Sequence, residues 1–257
     1  MKIYQIDAFT DHLFGGNPAA VCPLDSWLPD EKMQQIAMEN NLSETAFFVR
    51  SGDVFEIRWF TPELEIDLCG HATLASAHVI FNYLDYKDSI VSFRYVKGTL
   101  SVTKSNGMLS MNFPSIFSHE TEVTEQMIAG LGKRPIMAAG ARDLLVLFEK
   151  EQDILDLEPD FTALVRMDYL GVIATAPGDK VDFVSRFFAP KAGINEDPVT
   201  GSAHCMLIPF WAERLNKNSM KALQLSKRVG ELECRFNNER VLISGNAATY
   251  MIGDIYI

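Results

Sequence analysis

Four side chains in this sequence have the chemistry for moving protons or holding anions. His71 and Ser202 each follow a glycine that opens an alanine-containing apolar run, Gly70-His71-Ala-Thr-Leu-Ala-Ser-Ala-His78 and Gly201-Ser202-Ala-His-Cys-Met-Leu-Ile208. Asp197 lies shortly before Gly201, and Glu44 lies on a separate Ser43-Glu44-Thr45 segment. A carboxylate, a titratable imidazole and hydroxyl or N–H donors are the parts of general acid–base chemistry. If the two runs are helices, their first turns present unpaired N–H groups and partial positive charge, which suits a carboxylate ligand, and Gly70 and Gly201 permit close backbone approach. Each side chain also has a plainer role open to it. Ser202 and Asp197 suit a cap or turn, His71 a helix-terminal histidine, and Glu44 a surface carboxylate, the role that spacing alone favours for it.

The elements that must position these groups follow from periodicity. Residues 2–9 alternate as a half-buried strand, Gly15-Gly16-Asn17-Pro18 forces a turn, and a second strand spans 19–22. Asp30 begins a segment with apolar residues at 33, 36 and 37, the spacing of a helix face that runs to about Asn40. Glu44 then joins this helix to a strand over 46–50, a connection that can aim a side chain into a cleft. Self-similarity is the strongest signal. Phe55-Glu-Ile-Arg58-Trp59-Phe60-Thr-Pro62 and Phe183-Val-Ser-Arg186-Phe187-Phe188-Ala-Pro190 share the pattern F-x-x-R-aromatic-F-x-P, and each leads through acidic residues to one of the two glycines. The chain is expected to hold two copies of a strand, turn and buried-helix module, with further strands over 144–148, 171–176 and 241–244. A turn near Pro114-Ser115, after the alternating strand 108–113, marks the expected boundary between two lobes, 1–114 and 115–246, and the last strand, 247–257, can return to the first lobe. The cleft between them would face both helix starts.

Bulk properties exclude several function classes. The 257 residues suffice for one large domain or two small ones, and 47% hydrophobic with 22% charged residues is the balance of a globular protein. A net charge of -11 repels phosphate backbones and anionic membranes, so no nucleic acid or membrane partner is expected. Apolar stretches such as 74–80 fall short of the roughly 20 residues of a membrane span. The opening Met1-Lys-Ile-Tyr-Gln-Ile-Asp7 carries no secretory pattern, and cytoplasmic residence is expected. Cys22, Cys69, Cys205 and Cys234 show neither metal spacing nor the density of a disulfide scaffold, so thiols without structural zinc are expected. Gly15-Gly16-Asn17 lacks the lysine and spacing of a phosphate-binding loop.

The sequence resembles the PhzF-like isomerase family, related to diaminopimelate epimerase and named for an isomerase of phenazine biosynthesis. The likeness extends over almost the whole chain. Its motifs are Asp7-Ala-Phe-Thr10, Gly16-Asn17-Pro18-Ala-Ala-Val21, Asn41-Leu-Ser-Glu44-Thr-Ala-Phe47, Phe60-Thr-Pro62, Cys69-Gly70-His71-Ala-Thr73, Glu196-Asp197-Pro-Val-Thr-Gly201-Ser202-Ala203 and Gln224-Leu-Ser-Lys-Arg-Val-Gly-Glu-Leu232. The resemblance implies an α+β fold of the diaminopimelate epimerase type, with two pseudo-symmetric lobes, each a β-barrel-like sheet around a central helix. It implies a cofactor-independent isomerase, acting as a homodimer on a small carboxylate-bearing metabolite. Glu44 would shuttle a proton, His71 and Asp197 would assist, and Gly70, Gly201 and Ser202 would bind substrate, with no metal. Racemases of the superfamily use two thiols. Cys69 resembles the first, but the matching loop carries Asp197-Pro-Val-Thr200, so Cys69 counts as a packing residue. A racemase or epimerase, or a non-catalytic metabolite- or protein-binding relative, is the alternative. Val229 stands where the family often has glycine, which bears on the local turn.

Overall fold

The computed structural model describes residues 1–257. The chain divides into two compact units, one of Met1–Asn112 with Ser244–Ile257 and one of Phe113–Ile243. The first contains β1 (Lys2–Ala8), β2 (Asn17–Leu24), α1 (Asp30–Asn40), β3 (Glu44–Ser51), β4 (Val54–Phe60), β5 (Glu65–Ile66), α2 (Gly70–Tyr83), β6 (Ile90–Tyr95), β7 (Gly98–Ser105) and β8 (Met108–Pro114). The second contains β9 (His119–Thr121), α3 (Glu125–Leu131), β10 (Met137–Gly140), β11 (Leu144–Leu147), α4 (Glu151–Leu155), α5 (Phe161–Leu164), β12 (Val172–Pro177), β13 (Phe183–Ala189), β14 (Ile194–Asp197), α6 (Gly201–Leu215), β15 (Ser219–Gln224), β16 (Gly230–Asn237) and β17 (Arg240–Gly245). The last strand, β18 (Ala247–Asp254), pairs with β1 in the first unit.

The two units repeat one topology. In the first, the strands pair in the order β18-β1-β2-β3-β4-β6-β7, and the ladders run antiparallel, antiparallel, parallel, antiparallel, parallel and antiparallel. The second reproduces that sequence of senses in β9-β10-β11-β12-β13-β15-β16. The short β5 and β14 lie at the ends of β4 and β13. The repeated F-x-x-R-aromatic-F pattern falls on β4 and β13, and its arginine has one job in both places. Arg58 grips Glu65 with Nε and Nη2 at 2.7 Å each, and Arg186 grips Glu196 at 2.7 and 3.0 Å. Each guanidinium also lies over the phenylalanine two residues on, Phe60 or Phe188. The ion pair ties the central strand to the hairpin that leads into the buried helix.

That helix is α2 in one unit and α6 in the other. Residues His71–Ala77 and Ala203–Pro209 are buried without a break, so neither helix has a polar face. α2 packs on β1, β2, β3 and β18, and α6 on β15 and β16. The hydroxyls of Thr73 and Ser76 bond the carbonyls one turn back, at Cys69 and Ala72, which removes their need for outside partners. Both helices outlast the apolar runs seen in the sequence, and α6 passes through Pro209. Proline has no N–H for the Cys205 carbonyl; Ile116 supplies its own N–H there at 2.9 Å, so no buried acceptor is lost. No helix is long and apolar enough to cross a membrane.

Three substitutions probe these contacts and turns. Arg186 is nearly buried and its Nη1 also bonds the carbonyls of Ile154 and Leu157, whereas Arg58 is more open to water. Arg186→Ala should cost roughly 2–4 kcal/mol and Arg58→Ala about 1 kcal/mol or less, read from urea unfolding midpoints. Val229 adopts φ 55°, a left-handed backbone that a β-branched side chain resists. Val229→Gly should raise stability by about 0.5–1 kcal/mol, the relief of strain exceeding the chain-entropy cost of glycine.

Candidate active site

In the first unit three elements begin at one place. β2 and β3 run parallel with Ala19 opposite Glu44, so their heads, Asn17 and Glu44, lie side by side. α1 ends at Asn41, whose left-handed backbone (φ 48°) returns its N–H to the Ala37 carbonyl. Asn40 then holds the Thr45 hydroxyl through its side-chain amide at 3.0 Å. This turn starts the strand at Glu44, two residues earlier than the sequence pattern indicates, and leaves the carboxylate only 6% exposed. Glu44 is therefore not the surface residue that its spacing favoured.

The first turn of α2 brings His71 to this carboxylate. His71 Nε2 lies 2.9 Å from Glu44 Oε2, a close polar contact that is not aligned as a hydrogen bond. On the other side of the ring, Nδ1 is 3.1 Å from the Asn17 amide nitrogen and 3.5 Å from Cys69 Sγ. With the amine of Asn17 facing it, Nδ1 accepts and the ring proton sits on Nε2, against Glu44. Burial opposes a charge on the ring, but the sulfur of Cys69 and the carboxylate of Glu44 outweigh it and hold the His71 pKa well above its ordinary value. Of these two, Glu44 is the effective one near neutrality, because burial and the Glu44 carboxylate push the Cys69 thiol up to about 11 and keep it protonated. In the charged ring, the second N–H faces Cys69, and the Asn17 amide must turn its oxygen inward. Cys69 thus does more than pack.

Glu44, Cys69 and His71 each offer one ligand atom, all within 4.8 Å of one another, the spacing of a metal cluster. The ring, however, addresses the carboxylate with Nε2 and the thiol with Nδ1, so the nearest approaches do not converge on one nitrogen. The arrangement favours sharing a proton over sharing an ion.

The second unit gathers a different set at the start of α6. Gln224, fully buried, spends its amide on the loop before the helix: Nε2 donates to the Asp197 carbonyl at 2.8 Å and to Thr200 Oγ1 at 3.1 Å, and Oε1 accepts the Thr200 N–H at 2.8 Å. The Thr200 hydroxyl donates to the Asp197 carboxylate. His204 Nδ1 donates to the Thr200 carbonyl at 2.8 Å, and burial lowers its pKa to about 4, so it serves the loop as a neutral ring. The N–H groups of Gly201, Ser202 and Ala203 have no acceptor within the helix, and no side chain caps it. Ser202 Oγ accepts from Arg142 Nη2 at 2.9 Å. Cys205, with its thiol raised to about 12 by burial, bonds the Gly201 carbonyl inside the helix and offers no second reactive thiol.

Of the residues expected from the sequence, Gly70, His71 and Glu44 meet in the first unit, and Asp197, Gly201 and Ser202 meet in the second. Asn17 and Gln224 had a signal, since both lie in the motifs that carry the family resemblance. Arg142 had none.

Comparison with known proteins gives a single answer. The family model described as PhzC-PhzF, phenazine biosynthesis-like protein, matches residues 6–253. A Pseudomonas aeruginosa protein named as an uncharacterized isomerase is 51% identical over 256 residues, which cover 99% of this chain and 98% of the relative. A crystal structure of a PhzF-family phenazine biosynthesis protein from Enterococcus faecalis superposes with a TM-score of 0.98 at 47% identity, covering 100% of this chain and 99% of the other. A probable proline racemase from Agrobacterium radiobacter, at 9% identity and a TM-score of 0.66 over 100% of this chain and 93% of the other, shares the fold.

The buried contact predicts a measurable titration. In histidine-edited NMR, His71 should titrate above 6.5, and Glu44→Gln should bring it below 6.5, because burial then acts without the carboxylate. The raised folded-state pKa also fixes the sign of the stability effect. The contribution is full below the unfolded value near 6.5 and disappears as pH rises through the folded value.

Proposed function

The chain belongs to the PhzC-PhzF, phenazine biosynthesis-like family, and we propose that it is an isomerase that moves a proton within a small carboxylate-bearing substrate, with Glu44 as the acid/base. The observation that carries this is the buried carboxylate held against His71 at the open end of a buried helix. Glu44 as carboxylate takes a proton from a carbon next to the unsaturated system. The electron pair left by that C–H bond shifts along the conjugated acid, and the protonated Glu44 returns the proton to a second carbon. One C–H bond breaks, one forms and the double bond moves. Nothing is oxidised or reduced, so the balance requires no cofactor. His71 holds the carboxylate in place through Nε2.

In each unit the open helix start, Gly70 in the first and Gly201 with Ser202 in the second, has the N–H donors that suit a carboxylate, and the family resemblance makes these residues substrate-binding. Asp197, fixed by Thr200, would be the second titratable group. Cytoplasmic residence and a homodimer rest on the family resemblance. Deuterium incorporation into small unsaturated carboxylic acids in heavy water tests the reaction. Glu44→Gln should lower exchange by at least about a hundredfold while the fold is retained, and full exchange in that variant would remove Glu44 from the role.

A second reading draws on Cys69, a protonated thiol 3.5 Å from the imidazole. A racemase or epimerase would use it as the acid opposite Glu44. It would exchange the α-proton of an amino acid with inversion and lose that activity in Cys69→Ser, whereas the isomerase would keep it.

A further inference from the structure

Arg142 lies in the turn between β10 and β11, and its setting has the marks of a built group. Its Nε and Nη2 both donate to Asp143 Oδ2, at 3.1 and 2.7 Å, and Nη2 also donates to Ser202 Oγ at 2.9 Å. Nη1 has no partner in the protein, and the guanidinium is about half exposed. Asp143 is the reverse case, with no exposed surface and with Oδ1 left without a hydrogen bond. Gly171 lies against that oxygen, where even a Cβ would come within 3.3 Å. Burying a carboxylate with one incomplete partner is costly, and a surface arginine needs no such anchor. The anchor fixes the direction of a guanidinium whose remaining donors stay open.

The repeat says where that direction leads. β11 is the counterpart of β2, since each is the first strand of its unit's first parallel pair. At the head of β2, Asn17 reaches the second residue of α2, His71. Just ahead of β11, Arg142 reaches the second residue of α6, Ser202. One position in each unit thus supplies the group that works on the helix start. In the first unit it addresses an imidazole, and in the second it sets an Asp143-paired guanidinium, with Nη1 open, beside the unpaired N–H groups of Gly201 and Ser202.

We propose that Arg142, oriented by Asp143, is a substrate-recognition residue that binds the carboxylate of the substrate together with Ser202 at the start of α6. This rests on the isomerase reading and narrows its substrates to acids that present a free, ionised carboxylate. Esters, amides and lactones are bound less well there because they lack the charge that the open Nη1 donors and the helix N–H groups are set to meet.

The test is a binding titration in Glu44→Gln protein, so that turnover plays no part. Crotonate and its neutral counterpart crotonamide are added while the Arg142 Nε–H and the Ser202 backbone N–H signals are followed by NMR. Crotonate should shift both signals saturably, and crotonamide should not. Arg142→Met should weaken crotonate at least tenfold, with Arg142→Lys in between. Because Arg142→Met leaves Asp143 buried and unpaired, the double variant Arg142→Met/Asp143→Asn is measured beside it and should show the same loss in a folded protein. Crotonate binding within twofold of the parent in the double variant, or equal binding of crotonamide, overturns the proposal. If binding depends on Arg142 but no Glu44-dependent exchange is found with any acid, Arg142 keeps its role and the isomerase reading falls.

Discussion

A helix buried on every side can show its polarity only at its ends, and both units of this protein are built around such a helix. In α2 and α6 the interior positions are apolar, or have hydroxyls turned back onto the helix's own carbonyls. What is left is the first turn, with N–H groups that no residue of the helix can accept. Those N–H groups are unmet within either helix, and polar side chains lie beside them. The parallel ladders β2–β3 and β11–β12 add to this, since parallel strands start at the same end and bring their leading side chains together. Glu44 and Asn17 are neighbours for that reason, although 26 residues and a helix separate them in the chain.

The duplicated modules have kept what holds the strands and changed what sits at the helix starts. Arg58 with Glu65 and Arg186 with Glu196 are the same bidentate pair in the same place, each backed by a phenylalanine ring. The helix starts differ in kind. One has Cys69-Gly70-His71 against a carboxylate and an amide, and the other has Thr200-Gly201-Ser202 held by Gln224 and flanked by Arg142. A carboxylate, an imidazole and a thiol gather in one unit, and open helix N–H groups beside an arginine in the other.

The electrostatics of the first cluster explain why burial does not silence it. An isolated buried imidazole loses its charge, as His204 does beside a carbonyl alone, with a pKa near 4. His71 moves in the opposite direction because its neighbour is a carboxylate that is buried with it. The chain's net charge of -11 is distributed over its surface and does not decide either case, since water and salt screen distant charges far more than a contact of 2.9 Å.

The sequence by itself showed a repeated module, and the family resemblance supplied its fold type. Its apolar spacing marked α1, α2, α6 and many of the strands, but not the short α3, α4 and α5, and the repeated F-x-x-R-aromatic-F-x-P announced the duplication. It also marked Gly70, His71, Gly201 and Ser202 as helix starts, since glycine and alanine-containing apolar runs are local signals. Glu44 was legible only through resemblance; by its own neighbours it read as a surface carboxylate. Burial of that side chain, the contact with His71, the entry of Cys69 into the polar cluster and the reach of Arg142 to Ser202 were decided by the tertiary structure. Apart from the local Cys69–His71 contact, each depends on segments far apart in the chain coming together, and residue spacing carries no record of such meetings.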